Sequence, residues 1–262
     1  EAVTSGIQNT IIGATAGDAV TTGTNNVYIG YGAATTDDQS DQNVVVGAQA
    51  AVNMNHGNEI GYATIAGFQA SYYNVTGVAN TCFGYRAGFG VSGNSNSANT
   101  FIGTQAGIGV TTGSNNTTVG HNVGTSITSG DDNQFMGKDA GDTVTTGSRN
   151  ICIGRNVNPS AADGTNQITL GHDINGDSNG TFSFGSSSGI VHNHFGSDAT
   201  WTRTSDERLK KNITDTDLGL SFINDLRTVK YNWKGSHELD STDSQLEHLY
   251  KADPADNTME TD

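Results

Sequence analysis

An asparagine followed four residues later by a glycine recurs along the first two thirds of the chain. The repeat glycines lie 17 residues apart over most of this region, with steps of 20, 17 and 19 residues between Gly47 and Gly103. A short period of this kind predicts a solenoid, in which each repeat forms one coil that stacks on the next. The pairs are Asn9 and Gly13, Asn26 and Gly30, Asn43 and Gly47, Asn80 and Gly84, Asn99 and Gly103, Asn116 and Gly120, Asn133 and Gly137, and Asn150 and Gly154.

The composition suits a narrow stack of coils better than one large core. The 262 residues are 33% hydrophobic and include 35 glycines but only 2 prolines, an apolar share below that of an ordinary globular domain. The net charge of -15 argues against nucleic acid or an anionic membrane as a partner. No apolar run approaches the roughly 18 residues that a membrane helix needs, so we expect no membrane insertion. Because the chain begins with neither Met nor a signal-peptide pattern, we expect a fragment of a longer protein.

Each repeat contains a short alternating segment before its glycine. The residue directly before the glycine is always apolar, and the residue two positions earlier is mostly β-branched, as in Ile102 and Thr100. Side chains two residues apart share one face of a strand, and we predict that this face points into the coil. The residue between them, such as Phe101, would then face outward. Because it is too apolar for a wet surface, we predict that it packs against two further copies of the chain around a threefold axis.

A second small apolar site follows three residues after the glycine and predicts a second, tightly packed strand in each coil. Turns with the sequence Thr-Thr-Gly, as at 111–113, provide a glycine where positive φ is tolerated. The repeated asparagines are expected to form a hydrogen-bonded ladder along the stack. The small apolar site comprises Ala16, Ala33, Ala50, Ala70, Ala87, Ala106, Val123, Ala140, Val157 and Ile174.

The repeats, for example Asn-Thr-Phe-Ile-Gly-Thr-Gln-Ala-Gly at 99–107, resemble the head repeats of trimeric adhesins and related repeats of phage tail fibres. The resemblance covers residues 9 to about 175. It implies an all-β fold, a trimeric left-handed parallel β-roll, with an intertwined triple β-helix as the alternative. We therefore predict a solenoid domain over residues 1–175.

The period ends after Gly171, and two further regions follow. Residues 176–204 carry short alternating runs broken by glycine and serine, and they predict a β neck. From residue 205 the charge is clustered, and Leu218, Phe222 and Leu226 fall at helical spacing before an alternating segment around Tyr231. This pattern predicts the start of a small α+β domain over 205–262.

The segment Thr-Arg-Thr-Ser-Asp-Glu-Arg-Leu-Lys-Lys-Asn-Ile at 202–213 closely resembles the opening of the intramolecular chaperone domain of phage tail spikes and fibres, the S74 peptidase family. The resemblance implies trimerisation of the fibre and self-cleavage between Thr204 and Ser205. Ser205 would be the nucleophile and Lys210 the general base, while Asp206 and Arg208 would support the loop. A helix N-cap at Ser205 is the purely structural alternative.

Three weaker patterns concern metals and cysteines. His192 and His194 share one strand face, so three chains would bring six imidazoles to one axis, a number that suits an octahedral transition-metal site. The alternation of Asp and Asn from Asp173 to Asn179 has the spacing of a calcium loop but lacks its closing Glu, and turn chemistry explains it better. Cys82 and Cys152 lie four coils apart, roughly 19 Å at the spacing of neighbouring strands, and are predicted to be unbonded, partly buried side chains.

The repeat pattern and the two resemblances together imply a structural and adhesive protein: a homotrimeric segment of a phage tail fibre or spike, located in the virion. Its partners would be its own copies, other tail proteins and a host surface receptor, expected to be a glycan. No substrate-turnover enzyme and no cofactor are expected, apart from the self-cleavage and the axial metal. The alternatives are a glycan-degrading tail spike, which needs two carboxylates about 5 to 9.5 Å apart, and a bacterial trimeric adhesin at the cell surface.

Overall fold

The computed structural model describes residues 3–197 and 202–203, which belong to the first of two compact units, residues 1–205. The described chain is all-β: residues 3–197 contain no α-helix, and no helix able to span a membrane occurs in the described ranges. The strands are β1 (Thr10–Ile12), β2 (Val27–Ile29), β3 (Val44–Val46), β4 (Thr64–Ala66), β5 (Thr81–Phe83), β6 (Thr100–Ile102), β7 (Thr117–Val119), β8 (Gln134–Met136), β9 (Ile151–Asn158), β10 (Ile168–Asn175), β11 (Thr181–Ser186), β12 (Gly189–His194) and β13 (Thr202–Arg203).

The strands form one sheet in sequence order. β1 to β11 pair in parallel, each with the next coil of the same chain. The sheet therefore confirms the predicted β-solenoid of about ten coils. Each strand from β2 to β12 pairs along both edges with strands of its own chain, which leaves no edge for the strands of another chain that an intertwined triple β-helix requires. The left-handed winding of the roll stays a prediction.

The predicted orientation of the strand faces was wrong. The middle residue of each strand from β2 to β8 is buried, as Tyr28, Phe101 and Phe135 are. The residue before the glycine is more exposed, with 57% for Ile12 and 51% for Met136. The repeat asparagine is itself buried and lies two positions before the middle residue. Alternation along the strand therefore turns the middle residue into the coil as well.

The burial of the asparagine has a clear physical cause. In a regular coil its Oδ1 accepts a hydrogen bond from the backbone N–H of the next repeat asparagine, at 3.0 Å from Asn133 N to Asn116 Oδ1. Its Nδ2 donates to the carbonyl of the turn glycine 14 residues later, at 2.8 Å from Asn116 to Gly130 O. The predicted asparagine ladder is confirmed, and it provides partners for backbone groups that the coil removes from water.

The second small apolar site is buried, as predicted. The prediction that it lies on a second strand was wrong for most coils. Ala33, Ala87 and Ala140 are fully buried, yet the chain around them is a turn, and only β9 and β10 extend through this position. The residue before each small site has a left-handed backbone conformation, for example φ 57° at Gln105. The same conformation occurs inside β9 and β10, at Asn156 and Asp173, so it does not by itself end a strand.

The glycines act through close packing between coils more than through turn geometry. A Cβ at Gly13, where φ is 129°, would lie 2.6 Å from the carbonyl oxygen of Gly30 in the next coil. The prediction of positive φ in the Thr-Thr-Gly turns was wrong for Gly113, whose φ is not positive. Glycine is needed there because a Cβ would lie 2.5 Å from the carbonyl oxygen of Gly130. Successive coils approach too closely at these points for any side chain.

The region after the repeat continues the same sheet and then reverses direction. β11 still pairs in parallel with β10, whereas β12 pairs antiparallel with β11 and β13 antiparallel with β12. The stacking therefore ends with a hairpin at 186–189. The predicted start of an α+β domain lies outside the described residues.

Candidate interaction surfaces

The residues predicted to carry the self-cleavage lie outside the part of the chain whose side chains the structure describes. These are Thr204, Ser205, Asp206, Arg208 and Lys210. The described residues instead present two surface features, an apolar row along the coils and a cluster of aromatic rings. They also contain a buried polar cluster and the two neck histidines.

The outer apolar row is the set of side chains directly before the repeat glycines. Parallel, in-register pairing places these residues one above another, because Ile102 pairs with Val119 and Met136 pairs with Ile153. Several are exposed by 37% to 57%, including Val46, Phe83 and Ile12. A continuous exposed apolar surface of this kind is typical of a protein interface. The row comprises Ile12, Ile29, Val46, Ala66, Phe83, Ile102, Val119, Met136, Ile153 and Leu170.

An aromatic patch, defined as Phe68, Tyr72, Tyr73, Tyr85 and Phe89, lies on the coils of β4 and β5. The rings of Phe68 and Tyr85 stack with centroids 5.9 Å apart and planes at 5°. Tyr72 stacks on Phe89 at 5.4 Å, and the ring of Tyr73 meets both edge-on. The sequence analysis missed this patch. The sequence does contain a signal for it: in two successive repeats an aromatic residue stands directly after the glycine and another stands four positions later.

Arg86 completes the aromatic patch. Its guanidinium carbon lies 5.4 Å from the centroid of the Tyr85 ring and 4.9 Å from that of Phe89. Its Nε donates to Oε1 of Gln69 at 2.8 Å, and Nε2 of Gln69 donates to Oε1 of Gln49 at 2.9 Å. Cation–π contacts and this chain of side-chain hydrogen bonds hold the guanidinium over the Tyr85 and Phe89 rings.

A buried polar cluster lies inside the second and third coils. The hydroxyls of Tyr28 and Ser40 donate to the two carboxyl oxygens of Asp37, and Ser40 Oγ also accepts from the backbone N–H of His56 at 3.1 Å. Burial raises the pKa of the Asp37 carboxyl and lowers that of the His56 imidazole. All four side chains are less than 7% exposed, so we assign the cluster to packing and not to chemistry on a substrate.

The two cysteines are buried and unbonded, as predicted. Burial raises the pKa of both the Cys82 and the Cys152 thiol to about 12. At neutral pH they are thiols and poor nucleophiles. We therefore assign them to the coil interior.

The neck histidines lie on β12. His192 and His194 pair with Ser183 and Thr181 of β11, and Ser183 Oγ lies 2.8 Å from His192 Nδ1. That contact orients the His192 ring and leaves its Nε2 for another partner. The N–H of Gly196 donates to His194 Nδ1 at 3.2 Å, which puts the proton of a neutral imidazole on Nε2 and does not suit metal binding there. His192 fits a metal ligand better than His194, and the axial site stays a prediction.

The calcium-like segment is engaged in contacts within the fold. The carboxylate of Asp173 pairs with Arg155 and accepts from Asn156 Nδ2 at 3.1 Å. Asn179 Oδ1 accepts from the backbone N–H of Thr165 at 2.8 Å. No three His, Cys, Asp or Glu side chains of the described region are grouped as metal ligands.

Comparison with known proteins supports the carboxyl-terminal interpretation. Residues 205–248 match the family model described as the chaperone of endosialidase, Peptidase_S74. The match begins at Ser205, directly after the described solenoid and neck. No curated protein and no solved structure matches the chain. The family match and the parallel β-solenoid together fit a phage tail fibre with a carboxyl-terminal chaperone domain.

Proposed function

We propose that this chain is a homotrimeric segment of a phage tail fibre or spike that contacts the host surface. The observation that carries the proposal is the chaperone match at 205–248, next to a solenoid with one open apolar row. The chaperone family implies a trimeric assembly. A fibre needs a long, regular, stackable scaffold, which the coils provide.

The outer apolar row is the surface on which the three copies would meet. The sequence analysis chose the middle residues of the strands for this role, but those residues fill the coil interior. The row before the glycines runs along the coils in register and remains exposed in the single chain. Three such rows around a threefold axis would bury one another, and the closed symmetry would limit the contact to three chains.

The chaperone segment would release itself after folding. In this proposal the Ser205 hydroxyl attacks the carbonyl carbon of Thr204 while the Lys210 amine takes its proton. The C–N bond between Thr204 and Ser205 then breaks, and the protonated Lys210 returns the proton to the leaving Ser205 amine. Water hydrolyses the resulting ester, which leaves a Thr204 carboxylate and a separate chain that begins at Ser205. A lysine amine accepts a proton near neutral pH only when burial or neighbouring cations lower its pKa. Asp206 and Arg208 would hold the loop around the reacting bond.

Self-cleavage is tested in the natural gene product that contains residues 1–262. The parent is expected to yield a fragment whose amino terminus is Ser205, detected by terminal sequencing and intact mass. Ser205→Ala and Lys210→Ala are expected to leave the precursor uncut, while Lys211→Ala serves as the neighbouring control. Equal processing of the parent and Ser205→Ala would remove the catalytic assignment.

A further inference from the structure

We propose that the aromatic patch and Arg86 bind a carboxylate-bearing sugar residue of a cell-surface glycan. The inference deepens the proposed function, on which it rests, by naming a receptor class and the place where it binds. The argument depends on charge, on the side-chain contacts of Arg86, and on the residues that take the same position in other coils.

The charge pattern isolates Arg86. Between Glu59 and Asp131 the chain contains no Asp, Glu, Lys or Arg except Arg86, although the whole chain has a net charge of -15. The same stretch is rich in aromatic residues, since seven of the chain's 17 Phe and Tyr residues lie within the 28 residues from Tyr62 to Phe89. A single cation set among aromatic rings, with no carboxylate in its own or the next coil, is complementary to one anionic group.

The guanidinium is held in place but keeps hydrogen-bond donors available. Its Nε–H donates to Gln69, and its central carbon lies over the rings of Tyr85 and Phe89. In the described part of the chain no acceptor binds its Nη groups. A planar fork of N–H donors matches a carboxylate in bidentate geometry. The contacts to the rings and to Gln69 reduce the entropy that binding would otherwise cost.

The neighbouring groups suit a sugar ring. Phe68 and Tyr85 are both 44% exposed, and aromatic rings offer apolar surface to the C–H groups of a sugar. The amides of Gln49 and Gln69 lie beside them, joined in a hydrogen-bonded line. Rigid aromatic surface flanked by a few oriented polar groups is the usual composition of a small-molecule site.

The position of the patch argues against a second copy of this chain as the occupant. Phe68 and Tyr85 stand directly after the repeat glycine, in a column that backbone hydrogen bonds align from coil to coil, as from Arg86 N to Phe68 O at 3.0 Å. In the later coils the same column carries Thr104, His121, Lys138 and Arg155. All four residues are exposed. An interface between copies would repeat along every coil, whereas the stacked rings occur on two coils. The column also carries the exposed Tyr31, but Ala48 on the intervening coil separates it from Phe68.

The proposal is tested by binding measurements on the full chain. The probes are oligosaccharides that contain hexuronate or sialate residues, each paired with the same oligosaccharide after reduction of its carboxylates to alcohols. Isothermal titration at low ionic strength is expected to detect binding of at least one acidic probe, and at least tenfold weaker binding of its reduced counterpart. No binding of any acidic probe, or equal binding of both members of each pair, would overturn the site.

Variants locate the binding. Arg86→Gln is expected to weaken binding of the acidic probe at least tenfold and to leave the reduced probe unaffected. Arg86→Lys should recover only part of the loss, because it keeps the charge without the fork. Tyr85→Ala and Phe68→Ala should weaken both probes, whereas Lys138→Gln, in the same column three coils away, should change neither. Unchanged binding by Arg86→Gln would contradict the proposal.

The oligomeric state of every variant is measured on the same samples by analytical ultracentrifugation. If Tyr85→Ala or Phe68→Ala dissociates the assembly, the patch is an interface between copies and the glycan site is wrong. If the chain is a trimer and binds no acidic glycan, the site is wrong while the fibre proposal stands. Binding by a chain that never trimerises would support the site and contradict the fibre proposal.

Discussion

At the scale of single residues, the repeat asparagine connects each coil to its neighbours. Asn133 donates to Gly147 O at 2.9 Å and accepts from the backbone N–H of Asn150 at 3.1 Å, and both contacts are buried. An aliphatic residue would fit the same space but would leave these two backbone groups without partners. The asparagine therefore stabilises the coil through its hydrogen bonds and not through the space that it fills.

We expect Asn133→Ala to lower the free energy of unfolding by about 3 kcal/mol, because each buried group left without a partner costs roughly 1 to 3 kcal/mol. Urea denaturation at fixed protein concentration measures the change. Thr146→Ala, an exposed position in the following turn, is the control and should stay within about 0.5 kcal/mol of the parent. Equal stability of the two variants would show that the ladder contributes little.

The buried carboxyl of Asp37 makes stability depend on pH. Because burial raises its pKa in the folded chain above the ordinary value of 3.8, the folded chain takes up this proton at higher pH than the unfolded chain does. Its contribution to stability therefore increases as the pH falls through the raised pKa towards 3.8. His56, whose pKa is lowered by burial, acts in the opposite direction, since its protonation favours the unfolded chain.

We expect the free energy of unfolding of the parent, relative to Asp37→Asn, to increase between pH 7 and pH 4. His56 is present in both proteins, but in Asp37→Asn the loss of the Asp37 charge lowers the pKa of His56 further. The variant therefore loses more stability than the parent on acidification, which adds to the expected increase. Chemical denaturation at several pH values measures the difference. A difference that is constant or decreases on acidification would contradict this assignment.

At the scale of one element, a three-residue strand sends adjacent apolar side chains to opposite sides. In β6, Phe101 is fully buried inside the coil, while its neighbour Ile102 is 39% exposed in the outer apolar row. Gly88 and Gly107 leave room for the Phe101 ring, since a Cβ at either would clash with it. Two residues of similar hydrophobicity thus have different roles.

Phe101→Ala should destabilise the coil by about 3 to 5 kcal/mol, the usual cost of removing a buried aromatic ring. Ile102→Ala should change the unfolding of the dissociated chain by less than about 1 kcal/mol, because its side chain is partly in water there. Denaturation at protein concentrations below the association range measures both. If Ile102→Ala were the more damaging variant under these conditions, the assignment of the two strand faces would be reversed.

At the scale of the whole molecule, stability is shared between stacking of the coils and association of the chains. Each coil has a thin interior of one strand residue, one small residue and, in several coils, a further apolar residue seven positions after the glycine, such as Val110 or Ile127. A coil this thin depends on its neighbours. The outer apolar row leaves a further apolar surface uncovered in the single chain. Association would bury this surface, and the apparent stability should then depend on protein concentration.

Charges placed in the row should prevent association. We expect the double variant Ile102→Asp and Ile153→Asp to shift the trimer to monomer in analytical ultracentrifugation, because three copies would bring like charges together in a desolvated contact. The control is a double substitution in exposed turns, Ser129→Asp with Thr146→Asp, which should remain trimeric. A parent chain that is monomeric at all concentrations would contradict the proposed assembly.

The functional residues differ in how far a single sequence reveals them. Ser205 and Lys210 follow from a contiguous motif, so a resemblance identifies them without any coordinates, and their roles stay predictions. The aromatic patch is assembled from residues about 17 apart, such as Phe68 and Tyr85, and only stacking of the coils brings them together. Arg86 and Phe89 lie in one turn, whereas the contacts of Phe68 with Tyr85 and of Tyr72 with Phe89 join different coils.

The sequence by itself determined the stack of coils, the asparagine ladder and the buried small site, because a strict period forces equivalent residues into equivalent contacts. Only the tertiary structure decided which strand face is interior, that most coils contain one strand, and where aromatic rings cluster. The physical reason is that both faces of a strand such as Thr100–Ile102 are apolar enough to be buried. Closure of the coil around the asparagine, and not local hydrophobicity, selects between them.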